Sequence, residues 1–413
     1  MLQCTKGPAT RRYVLRINRD GARYWTESST DRTIAISSPR NHRVPPRSLA
    51  SRPVRAPTRV VESRARTTLR GRGGASVTLS PMSLGTTGLG NYPTALSEES
   101  AAGTVAAALA SSWRMYDTAP LYGRGLAERR LGLALNGVAR DRFVVASKIG
   151  RLLVPCPSRR FTRDPGASMF VDPAPFDTRF DYSYDATLRS IDDSLQRLGL
   201  THLDIVHVHN IDPANHPGEK VERMFSACMD GAYRALDRLR DEGVIKAIGV
   251  GNNSSAMLTR FAHAGDFDCF LMAGQYNLLN QTALDGVWAD ARASRVPILL
   301  AGVFASGILA TGNQPDAMFG YRPAQQAVRR RVRAFETLCA RHDVSLPALA
   351  IRFALAHPMV RTLVVGCVTA GQVIRNTAAL GEKMPSALWR DLRDGGLVDA
   401  RCPLPGPDRA RPA

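Results

Sequence analysis

The chain has 413 residues, 44% hydrophobic and 22% charged, with 55 Lys and Arg against 36 Asp and Glu and a formal net charge of +19. These proportions exclude collagen, coiled coil and global disorder, and the length fits one large barrel or a few smaller domains. The charge is uneven: residues 1–74 hold 17 basic and 4 acidic side chains, which leaves the rest of the chain nearly balanced.

Residues 1–74 are rich in Arg, Ser, Thr and Pro and carry no sustained apolar periodicity. Such a segment cannot bury enough apolar surface to offset its ordering entropy, so a disordered Arg-rich extension is predicted. The composition suits an organelle transit peptide, a nucleic-acid-binding arm, or an extension without function. Aromatics are sparse (Tyr13, Tyr24, Trp25), so nucleic acid is not expected as a partner. No apolar core of roughly 7–15 residues follows the early basic residues, as a secretory signal would require.

From residue 75, short apolar runs alternate with helical patterns. Strands are predicted at Val77–Leu84, Arg114–Asp117, Phe143–Lys148, Leu203–His207, Ile245–Val250, Cys269–Met272, Ile298–Ala301 and Leu363–Val365. Ser97 followed by Glu98 and Glu99 reads as the cap of a helix running to Ala110. Further helices are predicted over Leu126–Leu135, Asp185–Leu198, Phe225–Arg240, Gln281–Ala293, Ala327–Arg341 and Gln372–Leu380. This alternation implies a parallel sheet, and the number of units fits a (β/α)8 TIM barrel over residues 75–400, with a Pro/Arg-rich tail at 401–413. An open doubly wound sheet is the alternative. Against it, Gly85-Thr-Thr-Gly88-Leu-Gly90 lacks the spacing of a dinucleotide-binding turn. A long irregular stretch, Arg151 to Tyr184, interrupts the third unit and would lie on the catalytic face of a barrel. The longest charge-free apolar stretch, Val296–Gly312, is broken by Pro297 and Gly302. It is shorter than the ~20 residues of a membrane span, so no membrane partner is expected. The 7 Cys are scattered without CxxC spacing. That argues against a disulfide framework and suits the cytoplasm, with organelle targeting through the N-terminus as the alternative.

Asp117 and Lys148 end predicted strands, Tyr122 follows in a Gly-flanked turn, and His209 lies just beyond Leu203–His207. Singly, each reads as readily as a cap or as packing. Together they fall at the strand ends where barrel enzymes place their chemistry. Tyr is too weak an acid to act unaided near neutral pH, and a neighbouring ammonium such as Lys148 favours the phenolate. Asp117 would hold that Lys, and His209 would orient a substrate oxygen. The set suits proton transfer at a hydroxyl or carbonyl oxygen, with a cofactor supplying the harder step.

Asp-Thr-Ala-Pro-Leu-Tyr-Gly (117–123), Ala-Ser-Lys-Ile-Gly (146–150) and Leu-Asp-Ile-Val-His-Val-His (203–209) resemble three signature segments of the aldo-keto reductases, and the resemblance spans residues 78 to about 400. It implies an NAD(P)-dependent oxidoreductase with Tyr122 as acid/base, tuned by Lys148 and Asp117, and His209 as fourth member. By the same resemblance Gly251 and Asn252 would hold the nicotinamide amide, Gln275 would be their partner, and Gly85 and Thr86 would flank the cofactor. Gly366, Gln372 and Asn376 would belong to the segment around the adenosine phosphate. Ala301 stands where the family often stacks a Tyr on the nicotinamide, which leaves Phe304 as the substitute. NAD and NADP both stay open, with a slight lean to NAD because Gln372 stands where many NADP users are basic.

Within the family the chain is most similar to L-fucose and D-threo-aldose 1-dehydrogenases, through segments such as Phe180-Asp-Tyr-Ser-Tyr-Asp185 and Ser306-Gly-Ile-Leu-Ala-Thr-Gly312. That implies oxidation of the C1 hydroxyl of an L-fucose, L-galactose or D-arabinose type of aldose to a lactone. A pyridoxal 4-dehydrogenase, or a general aldehyde or ketone reductase, is the alternative. Substrate choice is expected to rest with Arg151–Tyr184, His209–Asp212 and Phe304–Tyr321. Other classes are a non-catalytic NADP-sensing subunit, and a barrel hydrolase binding a metal through His207 and His209. The later strand ends offer no further ligands for such a metal, and none is expected. The partners implied are small-molecule sugars or aldehydes; the oligomeric state is open.

Overall fold

A computed structural model describes residues 66–405, except 162, 163, 165, 166 and 321, together with the backbone of 13–17 and 23–27. In the N-terminal unit, Tyr13–Ile17 pairs antiparallel with Arg23–Glu27. The remainder of residues 1–65, where most of the predicted disorder falls, lies outside the described residues.

Eight parallel strands close into a barrel. They are β1 (Met82–Gly85), β2 (Met115–Asp117), β3 (Val144–Ile149), β4 (Ile205–His209), β5 (Ala247–Asn252), β6 (Cys269–Ala273), β7 (Ile298–Ala301) and β8 (Val360–Gly366). Each pairs with its sequence neighbours, and β8 closes on β1. The expected (β/α)8 architecture is met.

Alternation along the strands sorts the side chains. Val144, Ala146 and Lys148 share one face of β3, as do Ile205, His207 and His209 on β4. The register pairs Ala146 with Ile205 and Lys148 with His207. Met115, Val144, Ala146, Ile205, Ala247 and Cys269 form an apolar cluster at the strand starts. Above that floor, on the same faces, come the polar residues. The outer faces pack on the helices in the main core.

Some boundaries differ from those predicted. Val77–Leu84 is two strands rather than one. Ser76–Leu79 pairs antiparallel with Thr67–Arg70 before the chain enters β1. This hairpin places Leu69, Val77 and Leu79, each at most 2% exposed, in the floor cluster. The body therefore begins before residue 75. At the other end Cys402, 2% exposed, packs in the main core, so residues 401–405 belong to the body rather than to a tail. The stretch Arg151–Tyr184 is not wholly irregular: Arg151–Pro155 and Phe176–Phe180 pair as the arms of a long hairpin.

The helix predicted over Gln281–Ala293 does not form; short turns at Thr282–Leu284 and Ala293–Arg295 stand there. Gly286 lies so close to Ser255 that a Cβ would overlap the hydroxyl, and Ser255 Oγ accepts from Val287 N at 2.7 Å. Tertiary contact thus captures the backbone that a helix would use. Separately, a helix at Ser255–Ala264, not among those predicted, follows β5. The pattern over Phe225–Arg240 is real but interrupted. Lys220–Ala227 and Arg234–Asp241 are α-helical, and Cys228–Tyr233 between them is a π-helical turn. There Ala232 N donates to Tyr182 O at 2.9 Å, and a side chain on Gly231 would meet that same carbonyl at 2.8 Å.

Candidate active site

Asp117 ends β2, Lys148 is the penultimate residue of β3, and His209 ends β4. Tyr122 stands in the loop after β2, where two backbones touch. A Cβ on Gly123 would lie 2.6 Å from Gly90 O, and Gly123 itself has φ +60. Only glycine fits both demands. Tyr122 N donates to Ala119 O and its carbonyl accepts from Ala127 N, each at 3.1 Å, so the turn is bonded on both sides.

The structure brings the four together. Lys148 Nζ donates to Asp117 Oδ1, Asp117 Oδ2 and Thr118 O, all at 2.8 Å. It lies 4.8 Å from the Tyr122 ring centroid. The Tyr122 and His209 rings are 6.0 Å apart, edge to face. Lys148 and Asp117 are 2% exposed and His209 5%. Burial works against the ammonium of Lys148, but the Asp117 carboxylate and the Tyr122 oxygen outweigh it and hold Lys148 charged beyond its ordinary range. His209 is driven the other way. Burial first, then Arg151, Lys148 and His207, push it well below the usual imidazole range, so it is neutral near pH 7. His207, on the same face one layer deeper, meets Cys269 Sγ at 3.7 Å. Burial brings it down to about 3. Among the described residues no group of three His, Cys, Asp or Glu is placed to hold a metal ion.

The residues proposed for a nucleotide lie at the same ends of the other strands. Gly85 closes β1, and Thr86 Oγ1 donates to Asp117 O at 3.0 Å. Gly251 and Asn252 close β5; a Cβ on Gly251 would lie 3.6 Å from Lys148 Cε, an ordinary contact. Asn252 Nδ2 donates to Ile211 O at 3.0 Å, and its Oδ1 accepts from Ser254 N at 2.8 Å. Gln275 follows β6, with Oε1 accepting from Thr282 Oγ1 at 3.0 Å. Phe304 follows β7, half-buried against the main core. Gly366 ends β8, and a Cβ there would meet nothing within 4 Å. Beside it starts the helix Ala370–Leu380, capped by Thr369. Gln372 Oε1 accepts from Val368 N at 2.7 Å, and Asn376 Nδ2 donates to Cys367 Sγ at 3.5 Å.

The long hairpin leans on this site. Phe170 lies 6.3 Å from the Tyr122 ring and packs with Ala119, Leu121 and Ala167. Arg124, two residues past Tyr122, binds Asp177 Oδ1 at 2.7 Å and Phe176 O at 3.0 Å on the returning arm. Sequence reasoning did not single out Phe170, Tyr182 or Thr118. Tyr182 donates to His209 O at 3.1 Å, and a Cβ on Gly150 would overlap its ring. Only the glycine just past the Lys148 strand hinted at so close an approach.

Residues 81–394 match the aldo/keto reductase family. A D-threo-aldose 1-dehydrogenase of a Pseudomonas species is 35% identical over 325 residues, 78% of this chain and 96% of the relative. A pyridoxal 4-dehydrogenase of Microbacterium luteolum is 32% identical over 338 residues, 80% of this chain and 97% of the relative. Among solved structures, a glycerol dehydrogenase of Gluconobacter oxydans superposes with a TM-score of 0.61 at 22% identity, over 83% of this chain and 98% of that one. The motifs at 117–123, 146–150 and 203–209, the closed barrel and these matches agree: the chain belongs to the aldo/keto reductase family.

Proposed function

We propose that this oxidoreductase oxidises the C1 hydroxyl of a cyclic aldose of the L-fucose, L-galactose or D-arabinose type to a lactone. Tyr122 accepts the hydroxyl proton as the C1–H bond breaks, and in the reverse direction it returns that proton to a carbonyl oxygen. The Lys148 ammonium, fixed by Asp117 and the Thr118 carbonyl, faces the ring that changes charge. Opposite charge held in place there stabilises the phenolate without reorganisation. Neutral His209 bonds the same substrate oxygen and adds no competing charge.

The family's nicotinamide nucleotide suits the residues present. The open space over Gly366, beside the first turn of a helix, fits an anionic group. The Gly251–Asn252 strand end, one layer from Lys148, fits a flat ring. Gly85, Thr86, Gly251, Asn252, Gln275, Phe304, Gly366, Gln372 and Asn376 would hold it, whether NAD or NADP. When bound it supplies the acceptor for the C1 hydride.

The 35% identity to an aldose 1-dehydrogenase over nearly that relative's full length is the observation that carries the sugar reading. The 32% identity to a pyridoxal 4-dehydrogenase supports pyridoxal as second reading. A panel of aldoses, pyridoxal and simple aldehydes, each with NAD and NADP, tests both at the absorbance of the reduced cofactor. Rapid oxidation of at least one aldose is expected. Turnover of pyridoxal with no aldose oxidised would move the assignment to the second reading.

A further inference from the structure

The catalytic face carries a second set of buried polar groups that neither give nor take the transferred proton. Arg151 lies two residues past β3, and Asp212 three residues past His209. They are 1% and 4% exposed, as buried as Lys148 at 2% and His209 at 5%. Arg151 Nε donates to Asp164 Oδ2 at 2.9 Å, and its Nη2 to Asn215 Oδ1 at 2.7 Å. Asn215 in turn donates to Asp212 Oδ1 through Nδ2 at 2.9 Å and through its backbone N at 3.0 Å. A fixed chain of bonds thus runs from a guanidinium through an amide to a carboxylate. At its two ends, Arg151 Nη1 and Asp212 Oδ2 are buried and have no hydrogen-bond partner among the described residues.

Buried polar atoms are ordinarily bonded, and one charged donor and one charged acceptor left over on the same bonded chain call for an explanation. Two observations place them beside the reacting centre. Tyr182 donates to His209 O at 3.1 Å and meets His216 Nε2 at 3.2 Å, while Phe180 from the same arm lies 4.6 Å under the Arg151 guanidinium. Ile211, the residue before Asp212, accepts from Asn252 at the end of β5 at 3.0 Å. A hydroxyl both donates and accepts, so neighbouring hydroxyls on a sugar ring can satisfy a donor and an acceptor held at fixed separation. We propose that Arg151 Nη1 and Asp212 Oδ2 form a donor–acceptor pair that reads ring hydroxyls of the sugar away from C1. The proposal rests on the sugar reading above.

The test compares an aldose that the wild type oxidises with its monodeoxy analogues, in the wild type, Arg151→Lys and Asp212→Asn. A site built to bond hydroxyls rejects analogues that lack them. The wild type is therefore expected to discriminate against at least one analogue by about 100-fold in kcat/KM, the worth of a hydrogen bond to a charged group. Both variants should lose most of that discrimination at the same ring position. If Arg151→Lys does not fold, because Asp164 is left without its fork, the isosteric Asp212→Asn carries the test alone. Unchanged discrimination in the variants, with kcat/KM lowered equally for all sugars, would mean that the chain of bonds only ties the two loops together and would overturn the proposal. A wild type that oxidises no aldose would overturn the sugar reading and this proposal together, an outcome visible before any variant is made.

Discussion

Lys148 is a cation only 2% exposed, and three oxygens at 2.8 Å are what make it tolerable there. Burial of an ion pair rewards good geometry and punishes its loss. Tyr122→Phe keeps the ring packed against Phe170 and His209 but removes the transferable proton. Turnover should fall by roughly 100- to 10,000-fold, the usual contribution of general acid–base catalysis, while nucleotide binding, read by fluorescence quenching, persists. A variant that keeps most of its activity would remove Tyr122 from the mechanism. These four residues were legible in the sequence because Asp117, Lys148 and His209 stand near the C-terminal ends of short apolar strands and Tyr122 in the Gly-flanked turn after one. Phe170 and Tyr182 were not, because their positions depend on how a hairpin of more than twenty residues folds back, which no local pattern encodes.

At the scale of elements, the hairpin Thr67–Arg70 and Ser76–Leu79 matters more than its four-residue strands suggest. Leu69 is fully buried in the floor of the barrel. Truncation of residues 1–65 keeps this strand, whereas truncation of 1–74 removes it. Loss of one buried Leu costs on the order of 3 kcal/mol, and in a chain of this size each kcal/mol moves Tm by about 2–4 °C. The longer truncation should therefore melt some 5–15 °C below the shorter; equal melting temperatures would show that the floor closes without the hairpin. The Arg-rich composition around Leu69 concealed this strand in the sequence. Conversely, the apolar spacing over Gln281–Ala293 suggested a helix that the contact of Gly286 with Ser255 forbids. Strand positions were readable because both faces of a barrel strand are apolar and short. The helix Ser255–Ala264, after β5, escaped notice because its apolar face is only Met257, Leu258, Phe261 and Ala262, interrupted by Thr259, Arg260 and His263.

At the scale of the whole molecule, the buried histidines His207, His209, His216 and His357 are all held below their ordinary titration. Burial lowers His207 to about 3 and His357 to about 4, and sends His209 well below its usual range. Below pH 6.5 the unfolded chain takes up protons at these sites and the native protein does not. Stability therefore falls as pH drops from about 6.5 toward 4, by up to about 1.4 kcal/mol per pH unit for each histidine. Melting temperatures measured between pH 7.5 and 4.5 should show this slope. His357 stacks on Trp288 with centroids 3.5 Å apart, far from Tyr122 in the chain. His357→Gln should flatten the slope even if it lowers Tm throughout; an unaltered slope would place the proton uptake elsewhere.

The π-helical turn at Cys228–Tyr233 reaches beyond its own helix. A turn closed by i to i+5 bonds holds one more residue than an α-turn of similar rise. The wider turn frees Ala232 N to reach the Tyr182 carbonyl, so the helix and the segment that bonds His209 are held together through one peptide group.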